Sequence, residues 1–381
     1  VAFDVGFPPR IAAWRPNLGC AHLPIGASAD AVATLPRFDA PAPQLDREPW
    51  PLGDRNATAR AAGDARALAR AVAAAFVHDG AQAYGEGHAT TGVIVLQHGR
   101  IVAERYRDGF GPHVAQRTWS VAKSLTGALI GVAAQAGEID PRQPAPVPEW
   151  QRPGDPRAAI TVEQLLRMSS GLYSATAGNR TDALYFGGAT VAESATGWPL
   201  QAAPGTRFRY ANNDSVLAVH ALRGRTGDEA RALSRPYTDL LWPLGMTRTH
   251  AETDWQGGYV LSSQVWSTAR DLARFGLLLQ NDGVFAGRRL LPEGWVREAT
   301  TASGPQPEPQ PGSDFGYGAT LWLLQRSPGV PVDTYAAMGN RGQYIVVVPS
   351  RGIVIVRRGE DRAGKRFDVA AFTAAVLATL E

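Results

Sequence analysis

The placement of the β-strand patterns is the feature that most constrains the fold of this chain, because they lie near both ends and a helical region separates them. In the N-terminal part of the chain, residues 92–97 and 101–107 are predicted to form two strands joined by a tight glycine turn. Near the other end, apolar stretches predict four strands between residues 318 and 357. We therefore predict an α/β (α+β) fold in which both ends of the chain build one antiparallel sheet with helices on its faces.

The pattern divides the chain into three predicted regions. Residues 1–55 are rich in proline and show no sustained period, which predicts an irregular arm lying on the body. Residues 56–137 and 256–381 together are predicted to form the α/β domain, and residues 138–255 a mostly helical domain inserted in the middle. Helical spacing predicts helices at 57–77, 120–137, 161–168, 215–223, 229–241, 267–279, 292–300 and 367–380.

Composition excludes several functional classes. The chain has 381 residues, and its 38 basic and 35 acidic residues leave a net charge of only +3, which does not indicate a nucleic-acid-binding protein. Cys20 is the only cysteine, and no two of the seven histidines have helical i,i+4 spacing, so we predict no metal site and no cofactor. No apolar run approaches the ~18 to 20 residues of a transmembrane helix. Oligomeric state stays open.

The use of lysine is unusual. Only Lys123 and Lys365 are lysines among the 38 basic residues, and lysine, unlike arginine, can release its proton. Ser120 lies three residues before Lys123, at the predicted start of an apolar helix, so one helical turn brings the hydroxyl and the amine together. Free N–H groups at a helix start also favour developing negative charge. The alternative is a serine that caps the helix beside a lysine that extends to the surface.

Two further motifs accompany this pair. Tyr210 and Asn212 form a Y-x-N motif that could bring a phenol and an amide to one cleft; the alternative is a core tyrosine followed by a helix-capping asparagine. Residues 337–343 connect two apolar strands, and their glycines allow a ligand to approach the backbone closely. The alternative there is a plain glycine turn in a hairpin.

In this order, Ser120-x-x-Lys123, Tyr210-x-Asn212 and a glycine-bearing strand motif resemble the serine hydrolases related to class C β-lactamases and penicillin-binding proteins. Within that superfamily the chain looks most like the 6-aminohexanoate-dimer hydrolases and related esterases. The resemblance covers roughly residues 55–381 and implies a β-lactamase/transpeptidase-like fold. It is also compatible with a periplasmic or secreted bacterial protein. Supporting local matches lie at 168–172, 204–210, 267–276 and 339–343.

The resemblance implies a mechanism for this set of residues. Ser120 would attack a carbonyl and form an acyl-enzyme, and either Lys123 or a Tyr210 phenolate would be the base. The shifts that these two bases require are similar, so the pKa values expected from the sequence do not choose between them. Tyr210 would also be the acid for the leaving group, and Asn212 would hold Lys123 or the substrate. The backbone N–H groups of Ser120 and Asn340 would form the oxyanion hole.

One departure from the family pattern affects the predicted substrate. In β-lactamases the third motif, Lys-Thr-Gly, begins with a cation that helps to bind the carboxylate of the antibiotic, whereas this chain has Ala337, Met338 and Gly339 there. We therefore predict a hydrolase of amide or ester bonds in small molecules. The alternatives are a D-alanyl-D-alanine carboxypeptidase or weak β-lactamase, and a non-catalytic relative that binds a ligand in the same cleft. The G-x-S-x-G motif of α/β-hydrolases is absent.

Substrate contacts are predicted from polar and aromatic side chains of the helical region and of the third motif. Each candidate has an ordinary structural alternative, which is core packing for most of them and a solvated turn for Arg341. The candidates are Tyr173, Asp182, Tyr185, Trp198, Trp322, Gly339 and Arg341.

Overall fold

A computed structural model describes residues 2–3 (backbone only), 10–77, 84–174, 181–309 and 314–381. Its strands are β1 (Ala2–Phe3), β2 (Arg10–Arg15), β3 (Gly19–His22), β4 (Thr90–Gln97), β5 (Arg100–Tyr106), β6 (Gln116–Arg117), β7 (His250–Ala251), β8 (Val265–Ser267), β9 (Val284–Phe285), β10 (Arg288–Arg289), β11 (Gly316–Tyr317), β12 (Trp322–Leu323), β13 (Tyr335–Gly339), β14 (Gln343–Val348) and β15 (Ile353–Gly359). Its α-helices are α1 (Ala65–Ala74), α2 (Val121–Gln135), α3 (Val162–Leu166), α4 (Thr181–Phe186), α5 (Val191–Ala195), α6 (Asn212–Thr226), α7 (Glu229–Arg235), α8 (Ala269–Gln280), α9 (Trp295–Ala299) and α10 (Val369–Leu377).

A seven-stranded antiparallel sheet lies at the centre, in the order β11-β12-β13-β14-β15-β4-β5. The two ends of the chain meet where β4 pairs with β15, with Val95 opposite Ile355. Strands from both ends of the chain therefore form one antiparallel sheet, which confirms the prediction.

The sheet is covered on both faces, and alternate residues of its central strands enter two different apolar clusters. Val93 and Val95 of β4 pack in the cluster that contains residues of α1 and α10. Their neighbours Ile94 and Leu96 point the other way, into the larger cluster with α2 and α8. Burial on both faces explains why the central strands are continuously apolar instead of alternating with polar residues.

Helix α2 is the central helix of the larger cluster. Glycines allow close packing along it: a Cβ on Gly131 would lie 2.8 Å from the Trp295 ring, and one on Gly127 would collide with the Thr320 hydroxyl. The helix is followed by Gly137 with φ of +72°, as expected for a glycine at the C-terminus of a helix. The helix also contacts β13 and β14 of the sheet and α6 of the helical region.

Some predicted elements differ from the observed ones. The strand expected at 318–324 forms only at Trp322–Leu323 (β12). The residues before β12 form a turn instead, in which a Cβ on Gly318 would meet the Ala299 carbonyl oxygen and Thr320 has a positive φ of +62°. The helix expected at 229–241 changes to a π-helical turn at Pro236–Leu241, where Pro236 has no N–H to continue the α-helical bonding.

The first 55 residues are more regular than expected. β2 and β3 pair as an antiparallel hairpin, with Trp14 opposite Cys20, and Asn17 in the connecting turn adopts a positive φ of +59°. The predicted helix at 57–77 begins only at Ala65, because the Asp64 side chain accepts hydrogen bonds from the N–H groups of the first turn. Among the described residues, no helix has the length and apolarity needed to span a membrane.

Candidate active site

Ser120 stands at the junction of β6 and α2. The preceding residue, Trp119, has a positive φ of +51°, which turns the chain sharply into the helix. Ser120 occupies the N-cap position, yet its side chain makes no capping hydrogen bond. The hydroxyl is instead directed to a cleft and to the side chains of Lys123 and Tyr210. The capping role that the sequence left open is therefore not the arrangement found.

Lys123 does not extend to the surface. It is 1% exposed, and its Nζ lies 3.4 Å from Ser120 Oγ and donates to the Ser262 carbonyl at 2.9 Å and to Asn212 Oδ1. Burial lowers the pKa of Lys123 to about 7, against a smaller opposing effect of the Asp214 charge. A large fraction of this amine is therefore neutral near neutral pH, and it can accept a proton.

Tyr210 and Asn212 approach from the start of α6. Tyr210 hydrogen-bonds Ser120, and its ring packs edge-on to Tyr317, with the ring centroids 6.0 Å apart, and at a tilt to Trp322, at 5.4 Å. Burial raises the pKa of Tyr210 well above its usual range, despite the opposing effect of the Ser120 hydrogen bond. The phenol therefore holds its proton, which suits a donor better than a base.

A buried carboxyl group, that of Asp214, interacts electrostatically with the Lys123 amine. Asp214, also on α6, is 3% exposed and accepts a hydrogen bond of 3.0 Å from Ser170 Oγ. Burial raises the pKa of Asp214 to about 7, and hydrogen bonds from Ser170 and the charge of Lys123 oppose that rise. The protonation of Asp214 and that of Lys123 are consequently coupled.

The turn after β13 completes the group around Ser120. Gly339 passes so close to the segment before α2 that a Cβ there would lie 2.3 Å from the Thr118 carbonyl oxygen and 3.2 Å from Ser120 N. Only glycine fits without moving one of these backbones. Asn340 follows directly and lines the same cleft as Ser120.

These residues border an open cleft of about 380 Å³, and six of its thirteen described lining residues are aromatic. Among the described residues, no three His, Cys, Asp or Glu side chains are grouped so as to hold a metal ion. The lining residues are Trp119, Ser120, Tyr185, Tyr210, Asn212, Ser263, Phe315, Trp322, Met338, Gly339, Asn340, Tyr344 and Arg366.

The predicted substrate contacts separate into two groups. Tyr185, Trp322 and Gly339 line the cleft. Tyr173 packs on Trp198 with ring centroids 5.6 Å apart, and neither is among the described residues of the cleft wall. Asp182 is exposed on α4, and Arg341 is exposed in the turn after β13 with φ of +54°; both also lie outside the described wall.

Family membership follows from a comparison with known families. The beta-lactamase family model matches residues 66–378, which is most of the chain. The chain belongs to the beta-lactamase family. A 6-aminohexanoate-dimer hydrolase from Paenarthrobacter ureafaciens is similar to this family member, with 29% identity over 302 residues that cover 70% of this chain and 72% of that protein.

Solved structures share the fold of this beta-lactamase family member. A penicillin-binding protein homolog from Caulobacter crescentus has a TM-score of 0.66 at 17% identity, covering 85% of this chain and 99% of that chain. A family VIII carboxylesterase has a TM-score of 0.65 at 17% identity, covering 84% and 98%. The family resemblance and the β-lactamase-like fold predicted from the three motifs are thus confirmed.

Several residues of the site were not predicted. Lys123 donates to the Ser262 carbonyl, and the Asp214 carboxyl acts on Lys123 through its charge. The Ser170 hydroxyl donates in turn to Asp214. Ser170 lies in the Met168-Ser-Ser-Gly-Leu172 match and could have been a candidate on that ground. Arg366, in the exposed loop before α10, has no sequence signal that distinguishes it from the other arginines.

Proposed function

We propose that this beta-lactamase family member is a serine hydrolase that cleaves an amide or ester bond of a small molecule through an acyl-enzyme on Ser120. The observation that carries the proposal is the position of Lys123, which is fully buried with its Nζ 3.4 Å from Ser120 Oγ. A serine hydroxyl is a weak nucleophile and needs an adjacent base, and a neutral amine at this place supplies one.

In the proposed reaction Ser120 Oγ bonds to the substrate carbonyl carbon while its proton passes to Lys123 Nζ. The N–H groups of Ser120 and Asn340 stabilise the resulting oxyanion, an effect of ~3 to 4 kcal/mol for one such donor. The tetrahedral intermediate then expels the amine or alcohol, which takes a proton from Tyr210, and Tyr210 regains a proton from Lys123. Water then attacks the acyl carbonyl carbon, and its proton passes to Tyr210 while Tyr210 gives its own proton to Lys123. The bond from Ser120 Oγ to the acyl carbon breaks as Oγ takes that proton back from Lys123, which releases the acid and restores the starting state.

The electrostatics favour Lys123 over Tyr210 as the base. Burial moves both pKa values, but it brings that of the amine down to about 7 and takes that of the phenol further from neutrality. A neutral amine is therefore common at pH 7, whereas a phenolate is rare. Asn212 holds the amine in place through its side-chain oxygen.

The substrate class rests on the cleft and on the relatives. Aromatic walls suit an apolar acyl chain, and a relative named as a 6-aminohexanoate-dimer hydrolase, together with a fold neighbour named as a carboxylesterase, supports amides and esters alike. Ala337 to Gly339 place no cation at the start of the third motif, so we expect p-nitrophenyl esters to turn over and the β-lactam nitrocefin to turn over poorly.

The test is covalent labelling. Incubation with a fluorophosphonate should add one adduct mass to the intact protein, and peptide mapping should place it on Ser120. The Ser120→Ala variant is the control and should stay unlabelled. A non-catalytic ligand-binding relative would leave the wild-type protein unlabelled too, and that outcome would contradict the proposal.

A further inference from the structure

Two consecutive arginines near the end of β15 are buried in different ways. Arg357 forms an ion pair with Asp361 at 2.7 Å. Arg358 is 1% exposed, and among the described residues its guanidinium meets only neutral acceptors, with no carboxylate within ion-pair distance. A buried guanidinium without a carboxylate is unfavourable, since it loses hydration without gaining a counter-charge. Burial lowers the pKa of Arg358 to about 9, so it is still charged at neutral pH.

The acceptors of Arg358 belong to three separate segments of the chain, and all but one of them are backbone carbonyls. Its Nη2 donates to the carbonyls of Gln116 at 2.8 Å and Arg117 at 3.2 Å, both in β6. Its Nη1 donates to the Ser267 carbonyl in β8 at 2.5 Å, and its Nε to Gln343 Oε1 at 2.7 Å.

Two of these segments lead directly to the oxyanion-hole donors named above. β6 continues through Thr118 and Trp119 to Ser120. Gln343 lies at the far end of the turn that contains Asn340, and its Nε2 donates to the Arg341 carbonyl at 3.1 Å inside that turn. The two segments pass each other at Gly339, where there is no room for a Cβ beside Thr118.

We propose that Arg358 is a positioning residue that fixes the separation between the Ser120 N–H and the Asn340 N–H. This inference rests on the proposed function, because it concerns how that oxyanion hole is held. The planar guanidinium has five donors in a fixed arrangement and can reach β6, β8 and Gln343 at once. A lysine has the charge but only three donors on one nitrogen, so it cannot hold the same three segments.

The expected effect is on the transition state. Donors displaced by a fraction of an ångström still allow the substrate to bind but stabilise the oxyanion less well. For Arg358→Lys we expect kcat with a p-nitrophenyl ester to fall on the order of 10- to 100-fold, a part of what is lost when one oxyanion donor is removed. We expect KM to change by no more than about threefold, and the rate of fluorophosphonate labelling to fall in parallel with kcat.

A matched control separates positioning from general destabilisation. Arg274 is also buried, and it donates to the Pro51 and Gly53 carbonyls away from the cleft, so Arg274→Lys should lower the melting temperature without lowering kcat at a temperature where the protein is folded. Gln343→Glu is a second variant, which keeps an acceptor for Arg358 but removes the donor to the Arg341 and Gly359 carbonyls, so that the turn containing Asn340 is no longer linked to Arg358. It should also lower kcat and leave KM nearly unchanged.

The outcomes are distinct. If Arg358→Lys and Gln343→Glu are folded and keep the wild-type kcat and labelling rate, or if only KM rises, the positioning role is wrong. If Arg358→Lys fails to fold, Gln343→Glu decides by the same criterion. Failure of the wild type itself to be labelled at Ser120 would overturn the proposed function. If the wild type is labelled and both variants are labelled at the same rate as the wild type, only this inference is overturned.

Discussion

At the scale of single residues, the protonation of Lys123 is the property on which the site depends most. Because the folded-state pKa is about 7 and the reactive form is the neutral amine, kcat/KM should rise as pH increases through about 7. Lys123→Arg keeps a positive charge that cannot be removed, so its kcat should fall as far as that of Lys123→Ala, on the order of 10²- to 10⁴-fold. Steady-state rates from pH 5 to 9 test both points. Substantial activity of the arginine variant would show that a neutral amine is not the base.

Arg366 is expected to influence which substrates bind, because it is the only charged side chain among the described residues of the cleft wall. An ester with a carboxylate at its far end should therefore bind better than an uncharged ester of equal length. Arg366→Gln should raise KM for the anionic ester about 5- to 10-fold, as the loss of one charge-assisted contact of ~1 kcal/mol implies, and leave the neutral ester unchanged.

The control for this prediction is Arg362→Gln, which removes an exposed arginine from the same loop but from outside the described cleft wall. An equal change in KM for both esters, or the same change in the Arg362 variant, would mean that Arg366 does not contact the carboxylate.

At the scale of elements, the packing of α6 against α2 sets the electrostatic environment of Lys123. Asp214 on α6 raises the pKa of Lys123 through its charge, so Asp214→Asn should lower that pKa further and move the acid limb of the kcat/KM profile to lower pH. The variant should therefore lose less of its activity than the wild type between pH 7 and pH 6.

Asp271→Asn is the control. Asp271 is a buried carboxyl on α8 that accepts a hydrogen bond from Thr249, and its replacement should leave the acid limb of the kcat/KM profile in place. A limb that stays at the wild-type pH in Asp214→Asn, or moves to higher pH, would contradict the coupling.

The elements also mark where prediction from sequence succeeds and where it ends. α2 was predictable because nearly all of its residues are apolar or small and a glycine follows it, and Ser120 and Lys123 were predictable because a helical turn separates them. The break between β11 and β12 was not, since it depends on the distance from Gly318 to Ala299 in another element. Asp214 and the Ser262 carbonyl were not predictable either, because only tertiary packing brings them to Lys123.

At the scale of the whole molecule, the pairing of β4 with β15 makes the two ends of the chain interdependent, and the helical region lies between them in sequence. We propose that residues 56–137 and 256–381 form one domain and residues 138–255 a second, with the first 55 residues packed against the body. The contacts of that first segment are polar as well as apolar. Arg274 of α8 binds its Pro51 and Gly53 carbonyls and pairs with Asp54 at 2.7 Å.

Asp54 provides a test of how much this first segment stabilises the fold. Burial opposes its ionisation, but hydrogen bonds from His113 and Arg274 and the charge of Arg270 lower the pKa of Asp54 to about 2. A carboxyl whose folded pKa is depressed stabilises the protein at pH values above its unfolded pKa, near 3.8, and loses this contribution as pH falls toward 2. Asp54→Asn should therefore lower the free energy of unfolding at pH 7 by ~1 to 2 kcal/mol, a value reduced for solvent screening because 15% of the side chain stays exposed.

The difference between the wild type and Asp54→Asn should shrink as the pH is lowered from 4 toward 2, which urea unfolding at several pH values measures directly. Asp46→Asn is the matched control, because Asp46 lies in the same segment and pairs with Arg248 while 53% of its side chain remains exposed. An exposed pair of this kind contributes little, so that variant should unfold near the wild-type urea concentration. A stability difference for Asp54→Asn that does not change with pH would mean that the charge of Asp54 does not hold the segment, because loss of packing alone does not titrate.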